Sequence, residues 1–136
     1  LEKMVKGYLN YEPQHYRMTG KGIDLDGEAF VITFANASQW GYNAYIAPNA
    51  SVQDGLLDIS VISMVPVIAI PTLAFQLFTK TIEKDLLVST LRTDEITLYR
   101  EKPGPFHLDG DPHDEGTEIR IRIVPEGLNV LVKKRF

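Results

Sequence analysis

"DEITLYREKPGPFHLDGDPHDEGTEIRIRIV", residues 94–124, decides the fold class of this chain. The stretch holds three short runs typical of β-strands, DEITLYRE, GPFHLDG and TEIRIRIV, and a fourth run, LNVLVKK, follows them. In the third run, isoleucines at 119, 121 and 123 alternate with arginines at 120 and 122. Because side chains of a strand point alternately to opposite faces, this pattern predicts a buried isoleucine face and an exposed arginine face.

More strands are predicted on the N-terminal side of this stretch. HYRMTGKGIDL (15–25) and EAFVITFANA (28–37) flank Asp26 and Gly27, and Asp-Gly between two such runs is a strong signal for a hairpin turn. NAYIAP (43–48) and LLDISVIS (56–63) are two further candidates. We therefore expect hairpins in this half of the chain as well.

One helical section separates the two groups of strands. PTLAFQLFTKTI (71–82) places Leu73, Leu77 and Phe78 on one side of a helix, and EKDLLVSTLR (83–92) continues the section after a break near Thr81. Residues 3–9 are predicted to be the end of a helix. The fold class predicted for residues 1–136 is therefore mainly β with α (α+β), an antiparallel β-sandwich-like domain with a helical insertion.

Composition excludes several classes of function. The 136 residues include no cysteine, which excludes disulfides, a thiolate nucleophile and a zinc–thiolate site and agrees with a cytoplasmic location. The net charge of −4 gives no basic footprint for nucleic acid. The longest apolar stretch, residues 61–78, contains Pro66 and Pro71, so we predict a strand, a turn and a buried helix there rather than a membrane span.

The acidic stretch FHLDGDPHDEG (106–116) has three interpretations. It is explained as a polar turn, because Asp-Gly and Asp-Pro both favour turns. It is also a candidate metal site, whose oxygen ligands suit Mg²⁺, Mn²⁺ or Ca²⁺ and whose histidines suit Zn²⁺; the donors would be His107, Asp109, Asp111, His113 and Asp114. Thirdly, Asp109 could act as a general base toward a hydroxyl, with Asp111 holding a cation or orienting a partner group.

A second polar stretch lies between the early strands. Asn36, Asn43, Asn49 and the pair Asp54–Gly55 are explained as turn residues. Alternatively, the carboxylate of Asp54 and a nearby main-chain carbonyl could surround a hard cation. The chain contains no GxxxxGK[ST] motif to hold phosphates, so a phosphoryl donor would have to bind elsewhere.

Taken together, the two polar stretches resemble the C-terminal half of the diacylglycerol kinase, sphingosine kinase and bacterial lipid kinase family. The family pattern is an Asn, a glycine-rich turn, "aP.A...DG.LD", a helical stretch, and "DGE" followed by two strands. The counterparts here are Asn36, GYNAYIAPNASVQDGLLDISVI (41–62) and HLDGDPHDEGTEIRIRIVPEGLNVLV (107–132). They occur in the family's order over about 100 residues.

The resemblance implies roles for four residues. Asp109 matches the Asp of "DGE", a catalytic carboxylate that acts on the lipid hydroxyl, and Asp111 replaces the Glu with a side chain one methylene shorter. Asp54 and the carbonyl of Leu57 match a structural Mg²⁺ site of bacterial members. Where the family has consecutive glycines, this chain keeps only Gly41.

The resemblance also implies partners. The chain would be the lipid-side domain of a kinase that transfers the γ-phosphate of ATP, with Mg²⁺, to a lipid alcohol such as diacylglycerol. The nucleotide-binding domain with its "GGDGT" motif would precede Leu1, and we expect this fragment alone to be inactive. A peripheral membrane location, with lipid contact by residues 66–78, and a homodimer stay open.

Two alternatives remain from the residues themselves. One is a β-sandwich module that binds sugar or peptide on Trp40, Tyr42 and Tyr45. The other is a small metal-dependent hydrolase that uses the cluster from His107 to Asp114.

Overall fold

The computed structural model describes residues 13–128, with only the backbone of Pro105. The strands, in chain order, are β1 (Gln14–Gly20), β2 (Ile23–Ala29), β3 (Val31–Ala35), β4 (Gln39–Gly41), β5 (Ala44–Tyr45), β6 (Leu57–Ile62), β7 (Val88–Thr93), β8 (Glu95–Arg100), β9 (Gly104–Leu108), β10 (Asp111–Glu115) and β11 (Glu118–Arg122). One helix, α1 (Ile70–Thr79), lies between β6 and β7. The helix end predicted at residues 3–9 and nearly all of the LNVLVKK strand lie outside the described residues.

Two antiparallel sheets form the body of the domain. One has four strands in the order β11–β8–β1–β2, and the other has three in the order β3–β6–β7. Apolar side chains of both sheets form the first hydrophobic core: Met18, Ala29, Leu57, Ile59, Val61, Ile96, Leu98 and Ile119. Ile119 is buried while Arg120 and Arg122 are exposed, as the alternation predicts. The prediction of an antiparallel β-sandwich-like domain with a helical insertion is confirmed.

Strand β6 is the central strand of the three-stranded sheet, and all six of its residues are buried. Leu57, Ile59 and Val61 enter the first core, whereas Asp58, Ser60 and Ile62 point to the opposite face. On that face the Ser60 hydroxyl donates a hydrogen bond to the Ile46 carbonyl at 3.2 Å. Contacts on both faces fix β6, and with it the position of Asp58.

A second hydrophobic core lies on that opposite face of the three-stranded sheet. It consists of Ala35, Ile46, Ala47, Ile62, Val65, Leu73, Ile82 and Val88. Helix α1 contributes Leu73, and Leu77 packs at the edge, but Phe78 is 59% exposed. The prediction that α1 is a buried helix with Phe78 on its inner side is therefore wrong. Leu73 and Leu77 lie one helical turn apart and face the second core, whereas Phe75 and Phe78 lie in solvent.

The hairpin turn predicted at Asp26–Gly27 is also wrong. The turn between β1 and β2 is Lys21–Gly22, and β2 continues through Asp26 and Gly27, which lie opposite Arg17 and Tyr16. Gly22 adopts φ +72°, a conformation that glycine reaches without strain. The turn thus forms where a glycine in the left-handed conformation joins strands that pair in register, and Asp26–Gly27 becomes part of a strand.

The continuation of the helical section through EKDLLVSTLR is wrong as well. After a 3-10 turn at Ile82–Lys84, residues 88–93 form β7 and pair along the full length of β6. Pairing with a buried strand outweighs the helical spacing of a segment that includes the β-branched Val88 and Thr90. Residues 61–78 divide into the end of β6, a loop and α1, and within residues 13–128 no helix is long and apolar enough to cross a membrane.

Candidate functional site

Asp109 lies at the tip of a hairpin formed by β9 and β10, which make a separate two-stranded sheet. Leu108 pairs with Asp111, so the turn consists only of Asp109 and Gly110. Both adopt positive φ, +50° and +95°, as a two-residue turn that matches the twist of the strands requires. Aspartate tolerates this left-handed conformation better than most residues do, and glycine has no side chain to oppose it.

The carboxylates of this hairpin are available to a ligand. Asp109 and every residue of β10, including Asp111, are exposed. Among residues 13–128, no ion pair or side-chain hydrogen bond engages Asp109 or Asp111. The geometry is compatible with a polar turn and equally with a carboxylate presented to a substrate.

Arg100 fixes the base of the same hairpin. Its guanidinium donates hydrogen bonds to three carbonyls, from Nε to Gly116 at 2.9 Å and from Nη2 to Gly104 at 2.9 Å and Glu115 at 2.6 Å. Phe106 packs against the first core from β9. The base is therefore attached to the sandwich while the tip projects. The sequence carries no signal for this role, because the carbonyl acceptors become neighbours of Arg100 only through folding.

The metal interpretation of the hairpin loses its geometry. His107 lies opposite Pro112, and His113 lies opposite Phe106 on the neighbouring pair. Adjacent pairs of an antiparallel ladder point to opposite faces, so the two histidines do not share a face. Within residues 13–128, no three His, Asp or Glu side chains come together as a metal site. A zinc-dependent hydrolase centred on this cluster therefore gains no support.

The second polar stretch brings Asp54 and Asp58 to one arginine. Arg92 lies directly opposite Asp58 in the β6–β7 register, with its Nε 3.0 Å from Asp58 Oδ1, and its Nη2 also contacts Asp54 Oδ2. The other oxygen of Asp54 accepts the Leu56 amide at 3.0 Å. Charge from Asp58 is the main cause that raises the pKa of Arg92. The sequence analysis did not predict Asp58 or Arg92 as residues of this cluster. The "LD" of the family pattern could have indicated Asp58, but no sequence signal indicates the β6–β7 register that places Arg92 opposite it.

The β4–β5 hairpin contains Gly41, which the resemblance aligns with a glycine-rich turn. Gly41, Tyr42 and Asn43 adopt φ of +144°, +46° and +62°. A left-handed tyrosine costs about 1–2 kcal/mol relative to glycine, so Tyr42 introduces backbone strain at this turn. Tyr42 is 99% exposed and Trp40 is 59% exposed, whereas Tyr45 is covered by Lys80, whose Nζ lies 4.1 Å from the ring centre.

The remaining residues of the predicted turns occupy the surface. Asn36 and Asn43 are exposed, and Asn49 donates a hydrogen bond to Glu83 in the loop after α1. Helix α1 exposes Phe75 and Phe78. Lipid contact by residues 66–78 stays a prediction. Phe78 is exposed, so a polar substitution there can test it.

Ion pairs also cover the solvent face of the four-stranded sheet. Arg17 binds both oxygens of Asp24, from Nε and Nη2, at 2.9 Å each. These hydrogen bonds are the main cause that lowers the pKa of Asp24. The Nε2 of His15 lies 2.8 Å from Asp26 Oδ1. These pairs join β1 to β2 and leave the Asp109 hairpin untouched.

Comparisons with known proteins agree with this fold. Residues 3–132 match the family model described as "YegS C-terminal NAD kinase beta sandwich-like domain". A protein named "Probable lipid kinase YegS-like" from Yersinia enterocolitica is 30% identical over 109 residues, which cover 80% of this chain and 35% of that protein. "Probable lipid kinase YegS" from Escherichia coli O1:K1 is 29% identical over 129 residues, covering 86% and 38%.

A solved structure titled as a diacylglycerol kinase from Bacillus anthracis superposes with a TM-score of 0.56 at 20% identity, covering 85% of this chain and 42% of that one. A second structure from the same organism gives a TM-score of 0.61 at 21% identity. The chain spans about a third of the length of the curated relatives that it matches. The family model covers nearly all of the chain and the sandwich agrees with it, so this chain belongs to the family of YegS C-terminal NAD kinase beta sandwich-like domains.

Proposed function

We propose that this chain is the lipid-side domain of an ATP-dependent lipid kinase that phosphorylates the hydroxyl of a diacylglycerol-like lipid. Relatives named as lipid kinases support the kinase class, and each of them is much longer than this chain. The sequence contains no GxxxxGK[ST] phosphate-binding motif. We therefore propose that ATP binds mainly to a separate nucleotide-binding domain, N-terminal to this one in the full-length protein.

The observation that carries the proposal is the position of Asp109. Its carboxylate stands exposed at the tip of a hairpin whose base Arg100 fixes, and no side chain of the described residues neutralises it. A carboxylate so placed can reach an acceptor alcohol at a domain cleft. It would accept the hydroxyl proton while the lipid oxygen bonds to the γ-phosphorus and the bond to the β-phosphate oxygen breaks, releasing ADP.

Asp111 is proposed to assist from the next position of the same hairpin. It begins β10 two residues after Asp109, where the family has Glu, and it is exposed. The shorter side chain retains the negative charge and orients groups near the phosphates. Mg²⁺ bound with ATP would neutralise charge that develops on the transferred phosphoryl group. The hairpin carboxylates are oxygen donors of the kind such an ion accepts.

The test is transfer of labelled γ-phosphate from ATP to a panel of lipid alcohols by the full-length gene product and its Asp109→Asn variant. Asn-Gly is a favoured sequence for this turn, so the variant removes the charge and keeps the backbone. Because a general base typically contributes about 10²–10⁴-fold, we expect a loss of that size in kcat with unchanged folding.

The matched control is Asp114→Asn, which removes an exposed carboxylate from the same hairpin away from the tip. We expect it to retain parental activity. If the parent transfers no phosphate to any lipid alcohol, or if Asp109→Asn is as active as Asp114→Asn, the proposed role of Asp109 is wrong.

A second candidate function, a ligand-binding module, is favoured by one observation. Trp40 and Tyr42 are exposed on the β4–β5 hairpin and offer two aromatic side chains for stacking. This function predicts that sugar or peptide binds without nucleotide, and that Trp40→Ala abolishes binding while Asp109→Asn does not. Isothermal titration calorimetry would distinguish it from the kinase proposal, because it still reports binding when Trp40, the single tryptophan of this chain, is replaced.

A further inference from the structure

Asp54, Asp58 and Arg92 form a cluster of two carboxylates around one guanidinium. The side chain of Asp58 is only 10% exposed, that of Asp54 is 27% exposed, and that of Arg92 is 45% exposed. Arg92 contacts both oxygens of Asp58, from Nε at 3.0 Å and from Nη2 at 3.4 Å, and its Nη2 also contacts Asp54. The guanidinium thus joins the loop before β6 to the strand itself.

The position of Arg92 is set by the fold. Asp58 and Arg92 are direct partners in the β6–β7 ladder, and β6 is fixed by apolar contacts that enter the first core. Directly opposite residues of an antiparallel pair have Cβ atoms about 4.5–5.5 Å apart, which suits a salt bridge. The planar, forked guanidinium can bind two carboxylates at once, which the ammonium of lysine does less well.

The cluster as arranged does not fit an added divalent ion. Two carboxylates beside a strand backbone are hard oxygen donors of the kind that Mg²⁺ and Ca²⁺ accept. However, Asp54 Oδ1 already accepts the Leu56 amide, and Arg92 binds Asp54 Oδ2 and both oxygens of Asp58. A metal ion close to these oxygens would also lie next to the positive guanidinium, and like charges repel.

We propose that Arg92 is the built-in cation of the segment from Asp54 to Asp58, and that its removal converts the two carboxylates into a site for a hard divalent cation. Without Arg92, the buried Asp58 and the nearby Asp54 would be two uncompensated negative charges at one place. A divalent ion would then restore the charge balance that the guanidinium supplies in the parent. The inference is independent of the kinase proposal, because it concerns the stability of the domain.

The experiment measures thermal unfolding of the full-length gene product, without nucleotide, in MgCl₂, CaCl₂ or EDTA at matched ionic strength. The parent and its Asp54→Asn variant should each melt at a temperature that does not depend on the divalent ion. Arg92→Met, which keeps an apolar stem, should melt below the parent in EDTA and recover as the divalent concentration rises. The gain should follow the logarithm of that concentration, as expected for a ligand that binds only the folded state.

The matched control is Arg120→Met, since Arg120 binds the single carboxylate of Glu95 on the exposed sheet. The melting temperature of this variant should not rise with the divalent concentration. A rise of the parent's melting temperature in Mg²⁺ that disappears in Asp54→Asn would overturn the proposal and favour the predicted metal site at Asp54 and Leu57; this result does not depend on whether Arg92→Met folds. A folded Arg92→Met variant whose melting temperature does not rise in Mg²⁺ or Ca²⁺ would overturn the proposal that removal of Arg92 creates a divalent-cation site.

Discussion

The hairpin of Asp109 and the loop of Asp54 share an Asp-Gly dipeptide and depend on one arginine each, but the two arginines bind different groups. Arg100 binds three backbone carbonyls and leaves the carboxylates of its hairpin exposed. Arg92 contacts three of the four carboxylate oxygens of Asp54 and Asp58, and the Leu56 amide donates to the fourth. The aspartate of the same dipeptide is therefore accessible to a ligand in one region and held in an ion pair in the other. The difference depends on whether folding places the guanidinium beside carbonyls or beside carboxylates.

The largest effect in this comparison should come from Arg100→Met. The loss of hydrogen bonds from a charged donor should cost about 1–3 kcal/mol, concentrated in the hairpin. Hydrogen exchange followed residue by residue should show faster exchange of the β9 and β10 amides, with little change in β6. If Asp109 acts as proposed, kcat should fall as well, because the tip is no longer held in place.

Arg120→Met again supplies the control, since it removes an exposed arginine that binds a side chain rather than the hairpin backbone. It should leave exchange in β9 and β10 unchanged. Uniform acceleration across both sheets in Arg100→Met would contradict a local role, because it would mean that Arg100 stabilises the whole sandwich.

A smaller effect is expected from a matched pair of glycine variants, Gly110→Ala and Gly55→Ala. The glycines adopt φ of +95° and +71°, and a Cβ at either would meet no atom within 4 Å. Both substitutions should therefore cost only backbone strain, about 1–2 kcal/mol by urea unfolding. The two variants should differ in phosphate transfer, because only Gly110 adjoins the proposed base.

Equal phosphate transfer by the two glycine variants would mean that the backbone geometry of the Asp109 turn does not affect activity. A much larger loss of stability in Gly55→Ala would instead show that the loop before β6 controls folding more strongly than its exposed position indicates.

The sequence predicts the fold and part of the site because those features depend on local patterns. The alternation around Ile119 gave a correct buried face, and the turn at Asp109–Gly110 follows from the same preference that failed at Asp26–Gly27. That preference failed because a better turn, with Gly22 in the left-handed region, lay a few residues earlier. Local propensity indicates which dipeptides can form a turn, but the pairing of the flanking strands determines which of them does.

The ion pairs of the site could not be predicted for a different reason. Arg92 is 34 residues from Asp58 in sequence, and its partner is set by the β6–β7 register. A shift of one residue would turn Arg92 to the other face of the sheet, away from both carboxylates. The strand register thus decides which carboxylates remain available, and that register cannot be inferred from one sequence when a helix separates the two strands.

The smallest effect concerns Arg17 and Asp24, an exposed pair that serves as the reference for Arg92. Arg17 lowers the pKa of Asp24 below its ordinary value of 3.8, but the two side chains are 54% and 62% exposed. The stabilisation is present above pH 3.8 and is lost as the pH falls through the lower pKa of the folded state. Arg17→Gln should therefore reduce the dependence of stability on pH below 3.8 and change little at neutral pH.

Unfolding followed by circular dichroism across this acid range, with Asp24→Asn as the matched variant, measures that loss. Both variants should give the same flatter acid limb, since either change removes the pair. A loss at neutral pH as large as that of Arg92→Met in EDTA would mean that burial of Asp58 adds nothing to the Arg92 pair. We expect the Arg17 pair to stabilise the fold less than the Arg92 pair does. The reason is solvent screening, because water surrounds the exposed carboxylate of Asp24 and is largely excluded from Asp58.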